Sequence, residues 1–200
     1  KKKITKCLII SARDNDLLLK LKEYIKNGKI NLIFNNFYPS KGISKLESKN
    51  YNDLINLSLS TTAKILHAIP PRSINKIIYT SSSSVYGFDS GNVKDSFNRN
   101  LSSSLKIANE SLISNFCIKN QINFNILRIF NMYTGRKDEF SIIGKIFQSL
   151  KKNEILNIHN NGESIRDFIH IRDVANIISK ILKKKTKKII LDVGTGKGVK

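Results

Sequence analysis

Two stretches of the 200-residue sequence carry side chains dense enough in polar function to do chemistry. The first is Ile77–Gly87, IIYTSSSSVYG, where a run of hydroxyls follows an apolar, strand-like stretch. At the carboxyl end of a buried strand such hydroxyls stand above a rigid scaffold, at the edge where open α/β sheets bind ligands. A serine run on its own also fits a plain loop. The second is Ser102–Glu110, SSSLKIANE, which places Lys106 in the early turns of a helix, 20 to 25 residues past the serine cluster. His67, His159 and His170 show no metal-ligand spacing with one another or with Cys7 and Cys117, so no metal site is expected. His170 is read as structural.

The elements that must hold these residues alternate between short β-rich runs and amphipathic helical stretches, the pattern of a parallel sheet with helices on its faces. Cys7–Ser11 reads as a strand. Asp14 is placed to cap a helix whose Leu17, Leu18, Leu21, Tyr24 and Ile25 share one face, closed by Asn27-Gly28. Asn31–Asn35 reads as the next strand, and a long helix from Asn50 to Ile69 is stopped by Pro70-Pro71. Lys76–Ser81 is the most strand-like run in the chain. A helix Ser103–Asn120 then leads to a strand Phe124–Ile129. After Gly135 the expected order is helix Phe140–Lys152, strand Ile155–His159, helix Val174–Leu182 and strand Ile189–Val193. The fold class is α/β, Rossmann-like, with helices on both faces of a parallel sheet. Tyr79 is expected in the core.

Composition bounds the rest. With 40% apolar residues, three prolines and ten glycines, collagen-like and low-complexity chains are excluded. No apolar run approaches the ~20 residues of a membrane span. Two distant cysteines make neither a disulfide framework nor a zinc knuckle, which fits a reducing compartment and a cytoplasmic location. The first residue is Lys, with no signal-peptide pattern after it, so the sequence is expected to begin within a longer protein. The 35 basic against 15 acidic residues give a formal charge of +20, which invites a nucleic-acid reading. However, 28 of the basic residues are lysine, and Lys, Asn and Ile, all favoured by AT-rich codons, make up 83 of the 200 residues. The lysines are scattered, clustered only at Lys1–Lys3 and at a solvated helix end, Lys183–Lys188. Codon drift is the favoured explanation over a dedicated nucleic-acid surface.

Seven blocks, in order, carry a resemblance. They are Asn31–Tyr38 (NLIFNNFY), the helical stretch Asn56–Leu66, TSSSSVYG, LKIANE, Leu127–Arg136 (LRIFNMYTGR), Gly162–Asp173 (GESIRDFIHIRD) and Val193–Gly196 (VGTG). On these the sequence resembles the extended short-chain dehydrogenase/reductase family, specifically its NAD-dependent nucleotide-sugar epimerases and dehydratases. The resemblance implies a cofactor, NAD or NADP, and a nucleotide-diphosphate sugar as substrate, with a transient keto-sugar formed by hydride transfer to the nicotinamide. It makes Ser82 the residue that hydrogen-bonds the reacting sugar oxygen. Lys106 becomes the lysine that holds the nicotinamide ribose and lowers the pKa of the catalytic tyrosine. By the same resemblance Asn56 contacts the cofactor, Asn131 the substrate diphosphate and Arg166 the substrate phosphates, where a forked guanidinium suits the oxygens. The rival readings are a salt bridge of Arg166 to Asp167 or Asp173, and a turn-capping role for Asn131. A homodimer through the helices holding Asn56 and Lys106 is implied by analogy.

Three departures bear on activity. The family tyrosine lies four residues before the lysine, on the same helix face, and here that position is Ser102, an alcohol that does not titrate near neutral pH. No glycine-rich turn follows a first strand, so Cys7–Ser11 is taken to resemble the family's third strand, with the first β-α-β unit absent. The family's His-Leu-Ala-Ala turn has become Asn35-Asn36-Phe37-Tyr38. The expectation is a partial cofactor-binding domain over residues 1–135. Residues 136–200 then form a mixed segment that contributes to substrate binding and stops short of the family's end. Its family reaction is impaired by Ser102. The alternative is an inactive relative that binds nucleotide or RNA through its basic surface.

Overall fold

The computed structural model describes residues 7–11, 13–26, 28–35, 51–87, 101–135, 138, 141–184 and 189–200. Helix α1 (Leu17–Ile25) leads to strand β1 (Ile30–Phe34). Helix α2 runs through α-helical Tyr51–Ile55, a π-helical turn Asn56–Ser60 and α-helical Thr61–Ala68. Pro70 and Pro71 end it, and β2 (Ile74–Ser82) follows, closed by a 3-10 turn Ser83–Tyr86. Next come α3 (Leu101–Lys119), β3 (Asn123–Ile129), the short β4 (Asn131–Tyr133) and α4 (Ile142–Lys152). The last elements are β5 (Arg166–His170), α5 (Ile171–Lys183), β6 (Ile189–Val193) and β7 (Gly198–Val199).

Strands β1-β2-β3-β6 form one sheet in that order, and every pairing in it is parallel. A second, small sheet has the order β4-β5-β7, parallel then antiparallel. The alternation of side chains along β2 and β3 divides the core in two. Ile77, Tyr79, Phe124 and Ile126 pack with Leu21, Ile65, Leu66, Ile113 and Cys117 of α1–α3 on one face. On the other face Ile78 and Leu127 pack with Val174 and Ile181 of α5 and with Val193. Both faces of β2 are covered, so its run from Lys76 to Ser81 is buried throughout. Tyr79 is in this core, as expected.

Lys76 shows how closely the layers are tied. Its buried Nζ donates to the carbonyls of Ile181 (2.8 Å) and Lys184 (2.7 Å), so a cation from the sheet caps the carboxyl end of α5. Burial lowers its pKa.

The expected alternation is recovered, with three corrections. Cys7–Ser11 forms no ladder: it has no strand partner among the described residues and Ile9 is 92% exposed. A strand needs a neighbouring backbone for its hydrogen bonds, and apolar composition alone does not supply one. Ile155–His159 fails for the same reason, with Ile155 93% exposed and a 3-10 turn starting at His159. Asp14 is not the cap residue of α1; Asp16 is, and the Asp14 carboxylate instead accepts from the Asp16 N–H (3.0 Å) and pairs with Lys20 (2.6 Å). Gly28, with φ +118°, closes that helix as expected. The readings of Asn27, Asn36–Tyr38, Lys1–Lys3, Lys185–Lys188, Arg136 and Phe140 lie outside the described residues.

Candidate active site

At the carboxyl end of the main sheet the register sets three polar residues side by side: Ser81 opposite Arg128, and Arg128 opposite Asp192. All three lie on the face covered by α3, and α3 answers with Glu110. The Ser81 hydroxyl donates to Glu110 Oε1 (2.5 Å), and Arg128 reaches the same carboxylate through Nε (3.2 Å) and Nη2 (2.7 Å). The forked geometry makes this a strong, largely buried pair, and Glu110 pushes the Arg128 pKa further up. The guanidinium also lies over the ring of Tyr86, 4.8 Å from its centroid, while the Tyr86 hydroxyl donates to Asp192 (2.7 Å). Helix α3 is thereby fixed to β2, β3 and β6.

One turn before Glu110 stands Lys106, only 9% exposed. Burial lowers its pKa to about 8 against the opposing pull of the Glu110 carboxylate. Its ammonium makes no hydrogen bond to a described residue, and its burial alone disfavours the charged form. Ser102 lies one turn earlier on the same helix, half-buried.

Ser82 ends β2, and its hydroxyl accepts from the Ser84 N–H (3.2 Å), capping the turn Ser83–Tyr86. Strand alternation puts Ser81 and Ser82 on opposite faces, so the serine joined to the lysine-bearing helix is Ser81. Asn131 and Arg166 belong to the small sheet. Asn131 Nδ2 donates to the Asp167 carbonyl (3.1 Å), a bond between neighbouring strands rather than a turn cap. The exposed Arg166 guanidinium donates to the Ile165 carbonyl (2.8 Å). It pairs with neither Asp167 nor Asp173. The Asp167 carboxylate is occupied by the Thr195 N–H (2.9 Å), the Thr195 hydroxyl (2.7 Å) and the Gly196 N–H (2.8 Å). Burial acts to raise the Asp167 pKa, but these donors outweigh it and leave the group below its ordinary value. Asn131, Arg166 and the turn at Gly194–Gly196 are thus gathered around one aspartate.

Asn56 sits apart from this chemistry. It is exposed, and its Oδ1 accepts from Ser60 on its own helix (3.2 Å). The contact from α2 to α3 is made by Ser58, whose hydroxyl accepts from buried Asn109 Nδ2 (2.6 Å).

Sequence reasoning missed Ser81, Glu110, Arg128, Tyr86 and Asp192 as a unit. Only the four-residue spacing of Lys106 and Glu110 hinted at it. Asp167 appeared there merely as a rival partner for Arg166. For a nicotinamide cofactor the fit is partial: the buried Lys106, whose ammonium bonds no described residue, suits ribose hydroxyls. The glycine-rich turn Gly194–Gly198 after β6 leads into β7, so no helix amino end stands there to take a pyrophosphate.

Comparison with known proteins supplies the family. The family profile described as NAD dependent epimerase/dehydratase matches residues 11–194. An ADP-L-glycero-D-manno-heptose-6-epimerase from Brachyspira hyodysenteriae is 26% identical over 88% of this chain and 57% of its own length. An uncharacterized protein of Methanocaldococcus jannaschii is 32% identical over 64% of this chain and 40% of its own. The chain thus spans about half the length of these relatives. Among solved structures, a UDP-N-acetylglucosamine 4-epimerase from Methanobrevibacter ruminantium superposes with a TM-score of 0.73 at 20% identity, covering 96% of this chain and 62% of that one. The Thermus thermophilus UDP-glucose 4-epimerase, solved with NAD, gives 0.72 at 19% identity, covering 95% and 63%. At such identities the likeness establishes the Rossmann-like fold. The match of the family profile across most of the sequence establishes that this chain belongs to the NAD dependent epimerase/dehydratase family.

Proposed function

We propose that the protein containing this chain acts on a nucleotide-diphosphate sugar with NAD or NADP, by epimerisation, dehydration or reduction through a transient keto-sugar. Proton transfer at the sugar is weakened in it by Ser102. The single observation that carries the reading is the buried Lys106, held one turn from Glu110 with no hydrogen bond to a described residue, where ribose hydroxyls would find a donor. A nicotinamide bound there would supply the hydride chemistry, borrowed from the sugar in epimerisation or dehydration and donated by the reduced cofactor in reduction. The chain's own part is to position and to move protons. Lys106 holds the ribose, and Ser82 orients the reacting oxygen at the end of β2. Asn131 and Arg166, with residues 136–200, take the diphosphate. Asn56 is assigned to the cofactor by resemblance alone. With a tyrosine at position 102, Lys106 would stabilise a phenolate; the Ser102 alcohol offers no group that titrates near neutral pH. The same reading places the protein in the cytoplasm and allows a homodimer through α2 and α3.

The test is binding and turnover measured together. Calorimetry should detect a nucleotide-diphosphate sugar bound by the chain, weakened about tenfold or more in Arg166→Ala, since a charge-assisted phosphate contact is worth about 1.5–3 kcal/mol. Ser102→Tyr should raise turnover at least 100-fold, the usual scale of a positioned acid–base group. Robust turnover without the tyrosine, or none with it, contradicts the impairment.

A further inference from the structure

The opposite, amino edge of the main sheet has a different character. A polar groove of about 400 Å³ opens there between the starts of β1, β2 and β3. Lys29 and Arg72 line it together with the amides of Asn75, Gln121 and Asn123, and no Asp or Glu does. Around its rim, parallel topology collects the ends of the helices, and with them Lys26, Lys119, Lys183 and Lys184, all exposed. The Lys76 bond to the Lys184 carbonyl holds that residue beside the start of β2. Cations at helix carboxyl ends offset the helix dipole, which accounts for Lys119 and Lys183. It does not account for Lys29 and Arg72, which sit at strand entries. Codon drift accounts for many lysines but not for the excess of cations at this edge, where Glu23 in the last turn of α1 also stands. Asp14, Asp16, Asp53 and Asp173 lie at or next to helix amino ends, by the other edge.

We propose that this amino edge is a docking surface for the phosphate backbone of a nucleic acid, with Lys29 and Arg72 as its central contacts. The amides beside them suit sugar hydroxyls and phosphate oxygens. Of the apolar residues of the groove Ile74 and Ile122 are buried and only Pro71 is exposed, too little apolar surface to insert into a lipid layer. No described aromatic side chain lines it to stack on bases, so the surface reads backbone shape rather than sequence. It lies at the far end of the strands from Lys106 and is independent of the sugar-nucleotide reading.

The test titrates the chain against a fluorescent 20-base-pair RNA duplex, a DNA duplex of the same sequence, and vesicles of anionic phospholipid, at several salt concentrations. Binding to one or both duplexes is expected, with log K falling against log salt at a slope of about −4 or steeper, each neutralised phosphate adding about −0.9. Lys29→Glu/Arg72→Glu should weaken duplex binding about tenfold or more and flatten the slope by about two. Lys151→Glu/Lys152→Glu, the same charge change on α4, should leave it nearly unchanged. Excess UDP-sugar should not displace the duplex. Equal losses from both double variants would mean diffuse charge alone and would overturn the proposal. So would no duplex binding near 0.1 M salt, or tighter binding to vesicles than to either duplex.

Discussion

Lys106 is the residue at which stability and chemistry pull apart. Burial of Lys106 disfavours its charged form and lowers its pKa from an ordinary 10.5 to about 8, which is a cost to the fold while the group stays protonated. The sign follows from proton counts. Between pH 8 and 10.5 the unfolded chain binds more protons than the folded one, so stability rises with pH across that window. Below pH 8 both states are protonated and the penalty is complete. Lys106→Met should therefore stabilise the fold at pH 7 by on the order of 2 kcal/mol, and the advantage should close as pH approaches 10.5. Urea unfolding of both proteins at pH 7, 9 and 10.5 measures it. A methionine variant less stable at pH 7 would mean that the ammonium has a partner in the folded state. The neighbouring Ser81–Glu110–Arg128 set has the opposite sense: each charge there is answered, and α3 is oriented by it.

At the scale of elements, Asp167 is the joint of the small sheet. It sits in β5 between the exposed Arg166 and the core, its carbonyl accepts from Asn131 of β4, and its carboxylate holds the turn from β6 to β7. Gly194 is required at that turn because a Cβ there would run into the Asp167 carboxylate. Asp167→Asn keeps the shape and loses the charge. Amide exchange at Thr195 and Gly196 should then speed up about tenfold, the equivalent of about 1.4 kcal/mol, with the main-sheet amides unchanged. In the unaltered chain the same amides should be protected above the ordinary carboxylate range and lose protection as pH falls through the lowered Asp167 value. Exchange at these amides that ignores both the substitution and the pH would assign the turn to its backbone alone. This joint was not legible in the sequence, and the reason is general. Within one element, periodicity fixed much: the apolar face of α1, the stop at Pro70-Pro71 and the buried run Lys76–Ser81 could all be read locally. Contacts between strands far apart in sequence depend on register, which no local pattern encodes. Hence the row Ser81–Arg128–Asp192 and the Asp167 clamp went unseen. Hence, too, Cys7–Ser11 and Ile155–His159 read as strands although no described residue pairs with them. The resemblance singled out Lys106, Asn131 and Arg166, residues no local pattern would have joined, because family motifs store register implicitly.

At the scale of the molecule, one four-stranded sheet separates two apolar layers, and the question is whether they unfold together. Cys117 reports on one layer: it is fully buried on α3 among Ile113, Ile122 and Phe124, so a thiol reagent reaches it only when α3 lifts from the sheet. Cys7 is exposed and serves as the internal reference. Leu127 belongs to the other layer, fully buried against α5 and Val193, and Leu127→Ala should cost about 2–5 kcal/mol through lost burial and a cavity. Its strand, however, is shared, since the neighbouring Ile126 faces the Cys117 layer and β3 pairs with both β2 and β6. A parallel sheet with both faces covered cannot lose one layer without exposing backbone and apolar side chains on the other. The two layers should therefore open as a single cooperative unit. Native-state labelling of Cys117 should accelerate in Leu127→Ala by the full factor of the measured destabilisation, about tenfold for each 1.4 kcal/mol, while Cys7 labels at its former rate. If Cys117 labelling stays slow while the α5 amides lose protection, the α5 layer opens by itself. The main sheet then consists of two units of unequal stability joined at β3.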